Sequence, residues 1–211
     1  MSGQIKSQTP LPAANPDITA AKAALRGASL ARRDALSLAM RKTASEAFAA
    51  KPFPVPILSG VIVSGFSAIH SEIDPMPLML ALRARGARLA LPVVAGRGKP
   101  LVMREWEPGV ALVAAKFGLS EPPADAPQVD PDILLVPLSC FDRIGHRIGY
   151  GAGYYDMTIA RLRGLKPVTA IGIAFSVQEI EAVPATSSDQ KLDFLWTENE
   201  LIDFRSSAAG A

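Results

Sequence analysis

Two kinds of hydrophobic pattern alternate along the chain. Ile57–Phe66 (ILSGVIVSGF), Ile133–Leu138 (ILLVPL) and Val168–Phe175 (VTAIGIAF) are nearly continuous apolar runs with β-branched residues. Such runs lack a polar face, which predicts strands buried on both sides. Arg88–Val94, Pro100–Glu105 and Phe194–Thr197 predict shorter strands. Between them lie helical stretches. The first runs from Thr19, read as an N-cap, to about Asp34; the second covers about Ser37–Lys51 and is stopped by prolines at 52, 54 and 56. A third, Pro75–Arg85, starts from Asp74 or Ser71 and is closed by Gly86, and a fourth covers about Gly153–Arg163. Buried strands alternating with helices predict an α/β fold: one domain, a central, largely parallel sheet, helices on both faces. Met1–Pro16, with three prolines and little pattern, is expected to be disordered, residues 17–205 to form the domain, and Ser206–Ala211 to be a flexible tail.

Composition narrows the chemistry. One cysteine, Cys140, excludes an internal disulfide, and with only two histidines a Cys/His zinc site is not expected. No uncharged apolar run reaches the roughly 18 residues of a membrane span, and the polar start is unlike a signal peptide, so a cytoplasmic protein without a membrane partner is expected. The net charge of +2 hides segregation. Residues 1–51 hold eight Lys/Arg against three acids; residues 171–211 hold two against seven. This layout marks either a basic arm for nucleic acid or two solvated helix faces.

The strongest local signal is Arg147-Ile-Gly149-Tyr-Gly151-Ala-Gly153-Tyr-Tyr-Asp156, between the strand 133–138 and a helix. Alternate glycines permit left-handed backbone and turn N–H groups toward one point, and a helix N-terminus adds partial positive charge there. Arg147 offers a charged fork to phosphate and Asp156 a hard oxygen for magnesium. The bland alternative is a tight turn that merely needs glycine. The run does not match the dinucleotide fingerprint, and Gly98-Lys99-Pro100 does not complete a Walker loop. In the first helix, Lys22, Arg26, Ser29 and Arg33 share one face. Like charges four apart repel by a few tenths of a kcal/mol, roughly, so the stripe either meets an anion or is solvated. Glu72, just past a buried strand, is a ligand contact or a helix cap; Asp189 and Asp193 are a metal ligand and a loop or cap residue. His70 and His146 read as exposed loop residues and Cys140 as a packing residue.

Together these segments resemble the 5-formyltetrahydrofolate cyclo-ligase family over about Ala20–Leu201. Lys22-Ala23-Ala24-Leu25-Arg26 is similar to its K-x-x-L-R, and Phe117-Gly118-Leu119-Ser120-Glu121-Pro122 to F-G-[IL]-x-E-P. Val136-Pro137, Phe141-Asp142, Gly145 and Arg147–Asp156 resemble its most specific segment, and Gly172–Phe175, Gln178, Asp189, Leu192-Asp193 and Thr197-Glu198 complete the likeness. Ala152 stands for a common glycine, Ser139-Cys140 where small residues are usual, and Ser188 for a frequent histidine.

The resemblance implies a fold of the NagB/ribose-5-phosphate-isomerase/CoA-transferase-like type. It also implies ATP- and Mg2+-dependent cyclisation of 5-formyltetrahydrofolate to 5,10-methenyltetrahydrofolate, releasing ADP and phosphate through a phosphorylated formyl intermediate. Lys22, Ala23, Ala24, Leu25 and Arg26 would bind ATP with Arg147, Ile148, Gly149, Tyr150, Gly151, Ala152, Gly153, Tyr154 and Tyr155. Ser67 and Glu72 would contact folate, bordered by Tyr150, Gly151, Ala152, Gly153 and Tyr154. Asp156 and Asp189 would bind magnesium, Lys22 and Arg147 would be catalytic, and the protein would be a monomer. A rival is another enzyme on the same scaffold, such as a sugar-phosphate isomerase or a ligase acting on a different folate or thiamin-related compound. A nucleic-acid binder is disfavoured because residues 19–47 hold no aromatics among the basic residues.

Overall fold

The computed structural model describes residues 16–115 and 118–205. The expectations for the first fifteen residues, Phe117 and the last six fall outside that range. Seven strands form the central sheet. Five are parallel neighbours: β10 (Phe194–Trp196), β9 (Thr169–Ile173), β6 (Ile133–Val136), β1 (Ile62–Ser64) and β2 (Arg88–Val93). Antiparallel edges β3 (Val102–Glu105) and β11 (Leu201–Asp203) flank them. Two hairpins lie apart, β4 (Val113–Ala114) with β5 (Ser120–Glu121) and β7 (Cys140–Phe141) with β8 (Arg147–Ile148).

The strands are apolar on both faces because each face is covered. Leu89, Leu91, Ile133, Leu135, Ile171 and Trp196 point toward α2 (Leu38–Ala50) and α3 (Met76–Ala84). Their neighbours Ala90, Leu134, Val136, Ala170 and Leu195 point toward α4 (Tyr154–Arg163). The period of two divides these inner strands between the two cores. The ring of Phe48, on α2, meets Trp196 edge-on at 5.0 Å between centroids, worth about 0.5–1.5 kcal/mol beyond area burial.

Several boundaries depart from expectation. α1 (Pro16–Asp34) begins three residues before Thr19, which lies inside the helix instead of capping it. The run Ile57–Phe66 contributes only Ile62–Ser64 to the sheet: Gly60, at φ 85°, makes a turn before it, and Leu58 is exposed. Likewise Pro137 and Leu138 lie beyond β6. Neither Asp74 nor Ser71 is the N-cap of α3: Pro75 holds that place, with Asp74 Oδ1 accepting from Met76 N at 2.9 Å just before it. Ser37, read as the start of the second helix, is the N-cap of α2, its side chain accepting from Met40 N.

Candidate active site

Parallel α/β sheets bind ligands outside the carboxyl ends of their strands. Here the chain leaving β1 leads to Phe66, Ser67 and Glu72, and the chain leaving β6 leads through the β7–β8 hairpin into the glycine loop. α1 lies against this edge. No residue of α1 joins the two large cores; its apolar anchor is Leu25, packed on Cys140, Ile148 and Val183. Polar contacts at every turn hold it instead. Lys22 Nζ donates to Asp189 Oδ2 at 2.6 Å, Arg26 Nε to the Gly149 carbonyl at 2.7 Å and Arg32 Nε to the Val177 carbonyl at 2.8 Å. Arg33 Nε donates to Ser71 Oγ and its Nη2 to Tyr150 Oη, each at 2.9 Å. The stripe is therefore not solvated: Ser29 and Arg33 are buried, and protein acceptors relieve the charge repulsion along it.

The hairpin that positions the glycine loop is organised by Asp142, a buried carboxylate. Its Oδ1 accepts from the Ile144 and His146 N–H groups, and Oδ2 from Val183 N. His146, read from sequence as an exposed loop residue, is half-buried beside Asp142, with its Nδ1 3.3 Å from Oδ2. His70 is exposed, as expected, with φ 54°. The buried Cys140 is raised in pKa by burial, with Ser29 as its hydrogen-bond partner.

Within the loop, Gly151 (φ 98°) and Gly153 (φ 69°) adopt left-handed conformations, whereas Gly149 does not. Gly153 caps α4 from this conformation, and residues 150–153 are exposed. No protein acceptor takes the N–H groups of Gly151, Ala152 or Gly153 among the described residues. Free amides at a helix N-terminus form an anion cradle. Arg26 borders it: a Cβ at Gly151 would lie 3.2 Å from Arg26 Nη2.

Arg147 is placed differently from its expected role as an open fork. Its side chain is 3% exposed; Nη2 donates to Asp156 Oδ1 at 2.8 Å and Nη1 to the Gln190 carbonyl. Gln190 N returns a bond to the same Asp156 oxygen at 2.9 Å. Arg147 thus ties the loop to the segment carrying Asp189. Asp189 Oδ2 also accepts from Thr186 N and Oγ1. Burial pushes the Asp189 carboxyl up, but Lys22 and Thr186 outweigh it and hold the carboxyl below its ordinary value. Ser188, standing for a frequent histidine, meets Thr186 Oγ1 at 3.0 Å.

Among the described residues no three His, Cys, Asp or Glu side chains gather as a metal cage. Among the described residues Asp156 Oδ2 and Asp189 Oδ1 accept no hydrogen bond, so each carboxylate keeps one hard oxygen open. Two such oxygens suit magnesium, which takes one or two carboxylates and completes its shell with phosphates and water.

The second half of the site is a narrow crevice lined by Arg33, Phe66, Glu72, Pro137, Leu138 and Gln178. Glu72 is no helix cap; its Oε2 accepts from Ile69 N at 2.9 Å. Burial raises the Glu72 pKa, opposed by the Ile69 N–H, the Arg33 cation and the Tyr150 hydroxyl. Tyr150 is in turn pushed up to about 12 by burial and by Glu72. Burial also raises Tyr155, whose buried hydroxyl has no hydrogen-bond partner among the described residues. Ser67 is half-buried just after Phe66. Gln178 braces the floor, its Nε2 donating to the Leu138 and Ser139 carbonyls and its Oε1 accepting from Phe175 N.

Most of the candidate residues come together, with Asp193 an exception; it binds Arg163 Nη2 and Ala170 N, holding α4 to β9. Sequence reasoning did not single out Thr186 and Ser71 as site neighbours, and it gave Arg33 only as one member of a stripe. The stripe's period was the available signal for Arg33; nothing local marks Thr186.

Comparison with known proteins identifies the family. The family model described as the 5-formyltetrahydrofolate cyclo-ligase family matches residues 18–198. A 5-formyltetrahydrofolate cyclo-ligase of Mycolicibacterium smegmatis is 34% identical over 184 residues, covering 83% of this chain and 93% of the relative. That of Escherichia coli is 30% identical over 154 residues, covering 69% and 82%. Aquifex aeolicus 5,10-methenyltetrahydrofolate synthetase, solved by NMR, superposes with a TM-score of 0.72 at 30% identity, covering 87% of this chain and 93% of its own. A Mycoplasma pneumoniae 5,10-methenyltetrahydrofolate synthetase shares the fold at a TM-score of 0.64 and 22% identity, covering 87% and 99%. The chain belongs to the 5-formyltetrahydrofolate cyclo-ligase family.

Proposed function

We propose that the protein converts 5-formyltetrahydrofolate and ATP to 5,10-methenyltetrahydrofolate, ADP and phosphate. The supporting observation is α1, which runs from Lys22 on Asp189 and Arg26 beside the glycine loop to Arg33, which lines the crevice with Glu72. One helix thereby spans an anion cradle and a narrow, partly apolar crevice. The cradle suits a triphosphate, and the crevice, which has no room for a water molecule in the unliganded chain, would open to take a flat heterocycle.

In this reading the formyl oxygen attacks the γ-phosphorus of ATP and the bond to the β-phosphate oxygen breaks, releasing ADP. N10 then closes onto the formyl carbon, N10–H loses its proton, and phosphate leaves with the former formyl oxygen. Phosphoryl transfer of this kind requires alignment and charge neutralisation more than a nucleophilic side chain. The amides of Gly151, Ala152 and Gly153 receive phosphate oxygens, bordered by Tyr154 and Tyr155 at the start of α4. Lys22 and Arg26, on one face of α1, supply positive charge. Arg147 acts by fixing the loop and Asp156 rather than by reaching the nucleotide. Glu72, with Ser67 nearby, accepts hydrogen bonds from the pterin. Asp156 and Asp189 would hold magnesium through their free oxygens; when bound, the ion would neutralise phosphate charge. We further read the protein as a monomeric cytoplasmic enzyme; among the described residues no helix is long and apolar enough to cross a membrane.

The test is appearance of the near-ultraviolet absorbance of the methenyl product from 5-formyltetrahydrofolate, ATP and magnesium. Omitting ATP, or adding a chelator, is expected to abolish it. No product under complete conditions overturns the assignment and revives the rival enzyme on the same scaffold.

A further inference from the structure

Arg33 is the most unusual charged group in the molecule. Its side chain is among the largest that are fully buried, at 1% exposure. Nε and Nη2 are used by Ser71 and Tyr150, yet Nη1 is buried without a hydrogen-bond partner among the described residues. A buried guanidinium donor left unmade is costly, and such an orphan marks a place where an acceptor belongs. Arg33 lines the crevice together with Glu72.

Tyr150 indicates what kind of acceptor. Its hydroxyl accepts the Arg33 Nη2 hydrogen at 2.9 Å and lies near enough to Glu72 to act on that carboxyl. Arg33 can only donate and a carboxylate oxygen accepts, so the hydroxyl stands between a donor and an acceptor. A cyclic amide edge presents the same pair side by side, a carbonyl oxygen next to an N–H. Tyr150 is 42% exposed on the glycine loop and has the left-handed Gly151 after it. It thus stands at the solvent side of the Arg33–Glu72 pair.

We infer that Arg33 and Glu72 together read the lactam edge of the substrate's heterocycle, Arg33 donating to its carbonyl oxygen while Glu72 accepts from the adjacent ring N–H. This rests on the proposed function, which puts the pterin in the crevice, and adds a specificity-determining residue to it. Arg33 makes the site selective for 4-oxo over 4-amino pterins. A 4-amino ring offers a donor where Arg33 also offers one and lacks the adjacent N–H.

The experiment compares 5-formyltetrahydrofolate with its 4-amino-4-deoxy counterpart, whose N5-formyl and N10 groups are unchanged. In the parent chain kcat/KM is expected to favour the 4-oxo compound by at least about tenfold, as for a site built around a hydrogen bond to a charged group. In Arg33→Gln, whose side-chain oxygen accepts from a 4-amino group, the preference is expected to fall to within about threefold, with KM for ATP changed less than KM for folate. Arg33→Lys, which keeps one donor, is expected to retain most of the preference. If Arg33→Gln turns over too slowly, the rise in melting temperature produced by each compound gives the same ratio without catalysis. An unchanged preference in Arg33→Gln by either readout, or no preference in the parent, overturns the inference while leaving the proposed function intact. Absence of methenyl product from the parent overturns both.

Discussion

Replacing Asp156 by leucine tests whether Arg147 serves as a buried strut. The Arg147 guanidinium is 3% exposed and Asp156 28% exposed, and one carboxylate oxygen takes both Arg147 Nη2 and Gln190 N. Asp156→Leu leaves a buried cation facing only the Gln190 carbonyl, and strands the Gln190 N–H. Removing one partner of a buried pair costs about 3–5 kcal/mol. Water at the partly exposed carboxylate position offsets some of this, giving about 2–4 kcal/mol. At about 2–4 °C per kcal/mol for a chain of this size, the melting temperature falls by roughly 5–15 °C. The double variant Arg147→Met/Asp156→Leu removes both charges, and apolar replacement of a buried pair is often neutral. It is expected to recover more than half of the loss. It still forms no methenyl product, because the free Asp156 oxygen and the anchored loop are gone. Thermal unfolding followed by circular dichroism, beside the absorbance assay, checks both halves. A single-variant loss below about 0.5 kcal/mol, or a double variant no more stable than Asp156→Leu, refutes the strut; full activity in Asp156→Leu refutes the site.

Glu72→Gln is expected to abolish turnover while stabilising the unliganded protein at neutral pH. Burial raises the folded carboxyl above its ordinary value of 4.5, so stability falls as pH rises from about that value through the folded pKa, and the glutamine removes this loss. Melting curves of the two proteins should converge below that pH and separate above it; a destabilised variant at pH 7 contradicts the reasoning. Gly172→Ala adds a Cβ 2.6 Å from Leu192 Cδ1 and 2.9 Å from both Leu138 Cδ2 and Leu195 Cδ1, a core overpacking that costs about 1–3 kcal/mol in chemical denaturation. Gly151→Ala forces a side chain to φ 98° and against Arg26, so the KM for ATP should rise several-fold while Ala152→Gly leaves it nearly unchanged. Equal effects of these two would show that the left-handed conformation of the loop is dispensable.

Much of this architecture was legible in the residues. The centres of the uninterrupted apolar runs are strands with both faces covered, as the lack of polar alternation implied, although Ile57–Val61 stays outside the sheet. Pro52 and Gly86 stopped helices that the structure ends within a residue or two. The alternate glycines foretold a left-handed loop at a helix start, since positions such as Gly151 and Gly153 tolerate little else. The spacing of Lys22, Arg26, Ser29 and Arg33 fixed that they share a face of α1.

Spacing did not decide where that face points. A basic stripe reads alike whether it meets water or protein, and only the chain's return at Gly149, Val177 and Asp189 supplies the acceptors that turn it inward. Nor did local sequence decide that Arg147 would be spent on Asp156 and Gln190, or that Tyr150 would stand between Arg33 and Glu72, which are 39 residues apart in the chain. Secondary structure follows from nearest-neighbour constraints, which any stretch of sequence carries within itself. Hydrogen bonds between distant side chains depend on how strands are ordered in the sheet, and that order exists only once the whole domain has closed around its two cores.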